Sequence, residues 1–159
     1  MSVGALERKT VRLGIFVGGA SSRMGQPKGL LHFEGRPLLE RSLSLAAELD
    51  LEPVLVGDAS PYEGHAQGVR RCSDEVAGVG ALGGLLALLR EGPALVMACD
   101  MPLLQSAHLR VLLGARQVSV GALLVLSRSD EFYEPFPALC EPGLCRVIES
   151  QLAQKKTSL

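Results

Sequence analysis

Short apolar runs punctuate this chain, separated by stretches in which leucine and alanine recur three and four positions apart. Leu13 to Val17 is apolar without polar alternation, the pattern of a parallel strand covered on both faces, beginning near Val11 or Arg12. Leu30 to Phe33 reads as a short extended piece before a turn at Glu34, Gly35 and Arg36. Pro37 suits the first turn of a helix, and Leu38, Leu39, Ser42, Leu43, Ala46 and Leu49 form its apolar stripe. Pro53 to Val56 and Val69 to Cys72 read as further strands. A glycine-rich stretch from Gly78 to Gly84 then enters a helix with Leu82, Leu85, Leu86 and Leu89 on one side. Ala94 to Ala98 is the clearest central strand, followed by a helix from Ser106 to Ala115. The last elements are strands at Ala122 to Leu126 and Ala138 to Cys140, after the proline-punctuated EPFP, and a helix from Gly143 to about Gln154. This alternation predicts a three-layer α/β/α sandwich around a mainly parallel sheet.

Composition narrows the picture. With 159 residues, 47% of them hydrophobic, the chain can bury one core, so residues 11–159 are expected to form a single domain after a flexible leader at 1–10. The net charge of -1 excludes a global basic field of the kind that attracts nucleic acid. Cys72, Cys99, Cys140 and Cys145 show no CxxC pair and no zinc-finger spacing, and are expected as buried thiols. His32, His65 and His108 have no nucleophile or metal-ligand spacing around them and are expected to be structural or solvated. The first ten residues are too polar for a signal peptide and no apolar run reaches bilayer length, which leads to the expectation of a cytoplasmic protein away from membranes.

The chemistry concentrates behind the first strand, in GGASSRMGQPKGLL. Glycines let backbone amides approach a ligand, and Arg23 and Lys28 add charge-assisted donors, so the loop reads as a phosphate cradle. Two familiar fingerprints fail. Gly18 and Gly19 are adjacent, which breaks GxGxxG, and Lys28 is followed by Gly29 rather than Ser or Thr, which breaks Walker A. Ligands of open α/β sheets bind outside the carboxyl ends of the strands, so this loop and Asp100, at the end of the central strand, are expected to share one rim. A lone carboxylate there suits magnesium, which keeps most of its waters.

Gly18, Gly19, Ser22, Arg23, Met24, Gly25 and Lys28 follow, in order, the signature of the MobA-like nucleotidyltransferases, which the chain resembles from about residue 11 to 155. Asp74, Gly80 to Gly84, CDMP at Cys99 to Pro102 and EPFPAL at Glu134 to Leu139 also fall in that family's order. The resemblance is closest to the molybdenum cofactor guanylyltransferases. It implies a Rossmann-like sheet of the nucleotide-diphospho-sugar transferase type and magnesium-dependent transfer of GMP from GTP to molybdopterin cofactor. By the same resemblance, the catalytic set is Arg23, Lys28 and Asp100, with Asp100 on magnesium. Phe16, Gly18, Gly19, Ser22, Gly25, Lys28 and Asp74 would contact the nucleotide. Molybdoenzymes or other cofactor-biosynthesis proteins are the implied partners.

The chain also departs from that family. Gly57 stands where many guanylyltransferases have Asn, Ala81 where Pro is common, and Phe16 where Leu is common. The family normally continues with another strand, an Asn-Val-Asn-Thr-Pro-type segment and a final helix, which this sequence is expected to lack. Paired glycines at 18 and 19 favour GTP over the CTP of the related cytidylyltransferases. CTP transfer, and nucleotide binding without catalysis, stand as the alternatives.

Overall fold

The computed structural model describes residues 11–18, 26–73, 79–128 and 132–156. Its six-stranded sheet runs β5 (Arg70–Cys72), β4 (Glu52–Val56), β1 (Arg12–Phe16), β6 (Ala94–Ala98), β8 (Tyr133–Cys140), β7 (Leu124–Arg128). The first four are parallel, and β8 alone runs the other way, antiparallel to both neighbours. Phe16 lies opposite Val56 and Ala98, so β1, β4 and β6 finish level at one rim.

Strand alternation sorts the apolar residues into two cores. Leu13, Ile15, Leu55, Leu95, Met97 and Leu139 face helices α1 (Leu38–Leu49) and α3 (Ser106–Val118). Phe16, Val54, Val56, Val96 and Ala138 form the other core with Leu88 and Leu89 of α2 (Ala81–Arg90), and α4 (Leu144–Lys156) adds Leu144 and Cys145. The expected three-layer sandwich is what forms. Gly14 lets α2 approach the sheet: a Cβ there would overlap Leu88 Cδ2 and press on Val96 Cγ1 at 3.3 Å. Among the described residues, no helix is long and apolar enough to cross a membrane.

The structure moves some expected boundaries. Leu30 belongs to a 3-10 turn at Lys28–Leu30, not to an extended piece. His32–Phe33 (β2) and Arg36–Pro37 (β3) pair as a hairpin whose Glu34 and Gly35 both have positive φ, the backbone of a tight two-residue turn. Pro37 therefore closes β3, and α1 begins one residue later. β7 starts at Leu124 rather than Ala122, because Ala122 N–H donates to Ser119 O at 3.0 Å and a turn with Gly121 at φ 83° consumes the intervening residues. The last strand begins at Tyr133, five residues before the expected Ala138. Its prolines fit because the register against β7 slips between Leu126 and Ser127, and an irregular ladder tolerates residues that cannot donate. Cys99 and Cys140 are buried as expected, whereas Cys72 and Cys145 are only partly so.

Candidate active site at the carboxyl rim

Backbone ladders extend past the ends of the central strands and carry their loops onto a common rim. Val17 N–H donates to Val56 O at 3.0 Å, and Cys99 N–H donates to Phe16 O at 3.1 Å. Gly57 N–H in turn reaches Cys72 O at 3.0 Å. Gly18, Gly57 and Asp100 thereby follow directly from the ends of β1, β4 and β6. Gly57 has φ 99°, and a Cβ there would stand 3.1 Å from Gly18 N. This close crossing of two backbones explains why this chain carries glycine, rather than a longer side chain, at the end of β4.

Lys28 lies 72 residues from Asp100 and meets it in space: its Nζ donates to Asp100 Oδ2 at 2.7 Å. That hydrogen bond, followed by the attraction of the carboxylate charge, raises the Lys28 pKa above its ordinary value and keeps the ammonium charged at neutral pH. Both side chains are partly exposed, 43% for Lys28 and 35% for Asp100, so the pair is open to a ligand from solvent. The cysteine between Asp100 and the strand differs. Burial, reinforced by the neighbouring carboxylate, pushes Cys99 up to about 11, so it stays a neutral thiol and supplies no nucleophile.

Of the residues singled out in the sequence, Gly18, Lys28 and Asp100 come to this rim. Phe16 is only 8% exposed and packs against Phe136 with ring centroids 5.1 Å apart, so its ring belongs to the core beneath the rim. Gly19, Ser22, Arg23, Met24, Gly25 and Asp74 lie outside the described residues, as does the leader at 1–10. His108 is structural: its Nδ1 accepts from Gln105 N–H at 3.1 Å and closes a capping box on α3.

Two features had no sequence signal. An open cavity of about 530 Å³ lies beside Gly57, lined by Asp58, Ala59, Ser60, Arg71 and Ser73. Asp58 there accepts from Ser60 N–H at 3.0 Å and from its hydroxyl, which lowers the Asp58 pKa and keeps the carboxylate ionised. The second feature is Tyr62, 1% exposed, whose hydroxyl accepts from Gly29 N–H at 3.3 Å and donates to Val17 O at 3.4 Å. A cavity of about 580 Å³ between the end of α3 and β7 shares no lining residue with the rim, and its Arg116 and Glu141 are paired with each other.

Among the described residues no three His, Cys, Asp or Glu side chains gather into a metal cage. Asp100, half-exposed at the end of β6, offers a hard, solvent-accessible oxygen ligand at the rim. That donor fits magnesium, which takes one or two carboxylates and completes its shell with water and phosphate.

Residues 14–158 match the MobA-like NTP transferase domain. The chain belongs to this family. A probable molybdenum cofactor guanylyltransferase of Opitutus terrae is 28% identical over 151 residues, covering 91% of this chain and 73% of that protein. One from Pelotomaculum thermopropionicum is 31% identical over 145 residues, covering 89% and 69%. The solved structure of molybdopterin-guanine dinucleotide biosynthesis protein A from Archaeoglobus fulgidus superposes with a TM-score of 0.74 at 23% identity. That superposition covers 91% of this chain and 74% of the other, and it shows the shared fold. Membership makes this MobA-like chain a nucleotidyltransferase, with the rim of β1, β4 and β6 as the place to look for its chemistry.

Proposed function

We propose that this chain transfers GMP from GTP to the terminal phosphate of molybdopterin cofactor and releases pyrophosphate. The observation that carries this is the Lys28–Asp100 contact at 2.7 Å, which joins the end of the glycine-rich segment to the end of β6 at the rim where α/β sheets bind ligands. The guanylyltransferase names of the relatives support the choice of nucleotide and acceptor.

A triphosphate brings about four negative charges, and in-line attack on its α-phosphorus builds more on the departing pyrophosphate. An oxygen of the acceptor phosphate forms the new bond to that phosphorus, and the bond to the β-phosphate oxygen breaks. Lys28 places its ammonium on the phosphates, and Arg23 adds a second cation. Gly18, Gly19, Ser22 and Gly25 bring backbone and hydroxyl donors to the same oxygens. Asp100 holds a magnesium ion, whose charge, when bound, polarises the phosphate oxygens. Asp74 and the cavity beside Gly57 receive the nucleoside. In this assignment residues 11–159 act as one nucleotidyltransferase domain, working in the cytoplasm where GTP is available.

Calorimetric titration with GTP and CTP in the presence of magnesium tests the choice of nucleotide. Tighter binding of GTP is expected, with CTP at least about tenfold weaker, the margin that one lost base-specific hydrogen bond supplies. CTP binding as tight as GTP would contradict the guanylyl assignment.

A further inference from the structure

Tyr62 stands apart from the rest of the core. It is among the largest fully buried side chains, it sits in the 3-10 turn Ser60–Tyr62 after β4, and its hydroxyl joins two backbone segments that are not otherwise neighbours in sequence. One is Val17, the last residue before the glycines; the other is Gly29, directly after Lys28. A single oxygen thus ties the entry and the exit of the stretch between them. The fit is close on the far side as well, because a Cβ on Gly29 would come within 2.8 Å of Tyr62 Cε1. Burial raises the Tyr62 pKa, so the hydroxyl keeps its proton and can donate to Val17 O while accepting from Gly29 N–H.

We propose that Tyr62 is a positioning residue for nucleotide binding: its hydroxyl fixes Gly29 against Val17 and so sets where the Lys28 ammonium meets the phosphates. It touches no substrate and acts through Lys28. The proposal rests on the assignment of Lys28 to the triphosphate.

Tyr62→Phe removes the hydroxyl and keeps the ring. Its effect is read as the Kd for GTP with magnesium, measured by calorimetry on the whole chain, alone and combined with Lys28→Met. Loss of one buried hydrogen-bonding group is expected to weaken GTP about fivefold in the Tyr62→Phe variant. In the Lys28→Met background the same change is expected to add less than about twofold, since the group it positions is gone. Gly29→Ala approaches the contact from the other side by crowding the ring, and is expected to weaken GTP by a similar factor without adding to Tyr62→Phe. Wild-type affinity in both Tyr62→Phe and Gly29→Ala overturns the proposal and leaves the Lys28 assignment intact. Losses from Tyr62→Phe and Lys28→Met that multiply fully also overturn it, because a tyrosine that only stabilises the fold acts independently of Lys28. Lys28→Met binding GTP as the wild type does overturns the assignment beneath it and the proposal together.

Discussion

The two ends of the central sheet carry opposite kinds of ion pair. At the amino ends, Arg12 heads β1, Glu52 heads β4, Arg70 heads β5 and Glu91 precedes β6. Arg12 Nε meets Glu52 at 3.2 Å, Arg70 meets Glu91 at 2.7 Å, and Arg12 also donates to the Glu91 carbonyl at 3.0 Å. Two guanidinium forks and two carboxylates satisfy one another with several contacts each, so that opening one leaves others in place. At the carboxyl ends a lysine meets an aspartate through one contact, above strand ends crossed by glycine backbone. An ammonium is a compact charge that makes no geometric demand on its partner, whereas a guanidinium fork fixes the direction of its contacts. The amino end spreads its charges over several contacts, and the carboxyl end rests on one, an arrangement that suits the proposed exchange of partners for phosphate and magnesium.

Substitutions should separate the two ends. The largest effect is expected from Asp100→Asn, which keeps the shape and removes the charge. Nucleotidyl transfer should fall by about 10² to 10³, the scale of losing one preorganised electrostatic group, while the thermal midpoint shifts by no more than a few degrees. Lys28→Met comes next, weakening GTP by about 10- to 100-fold in calorimetry, as expected for a hydrogen bond to a charged group. Glu91→Gln at the other end should cost less than about 1 kcal/mol in denaturant unfolding and leave transfer unchanged. A large loss of transfer from Glu91→Gln would erase the distinction between the ends.

The smallest effect is one of pH. The Lys28 pKa is raised by Asp100, so the contribution of this pair is complete below the ordinary lysine value of 10.5 and is lost as pH rises through the raised value. GTP affinity should therefore be flat with respect to Lys28 from about pH 7 to about pH 9. A decline in affinity centred near pH 8 would place a different group on the phosphates.

What could be read from the sequence was what strand ends force on a chain. Asp100 stands just beyond the apolar run of β6, and Lys28 closes the glycine-rich loop that leaves β1. In a parallel sheet the loops after such strands converge on one rim, which is where the two meet. The two packing faces were equally legible, from runs without alternation and leucines at helical spacing. The early start of β8 was hidden, because Pro135 and Pro137 read locally as punctuation and only the slipped register with β7 accommodates them. Phe16 is assigned to the nucleotide by family resemblance alone, and what alternation along β1 adds is the packing of its ring against Phe136. Tyr62 gave no sign at all, since its two bonds reach residues 45 and 33 positions away.

The most direct test of the carboxyl rim as a nucleotidyl-transfer site is pyrophosphate release from GTP in the presence of magnesium and molybdopterin cofactor, compared between the wild-type chain and Asp100→Asn. One pyrophosphate per molybdopterin guanine dinucleotide formed, with the rate reduced by at least about 10² in the variant, is the expected result. Release at the same rate by Asp100→Asn, or none from GTP with the wild-type chain, would contradict it.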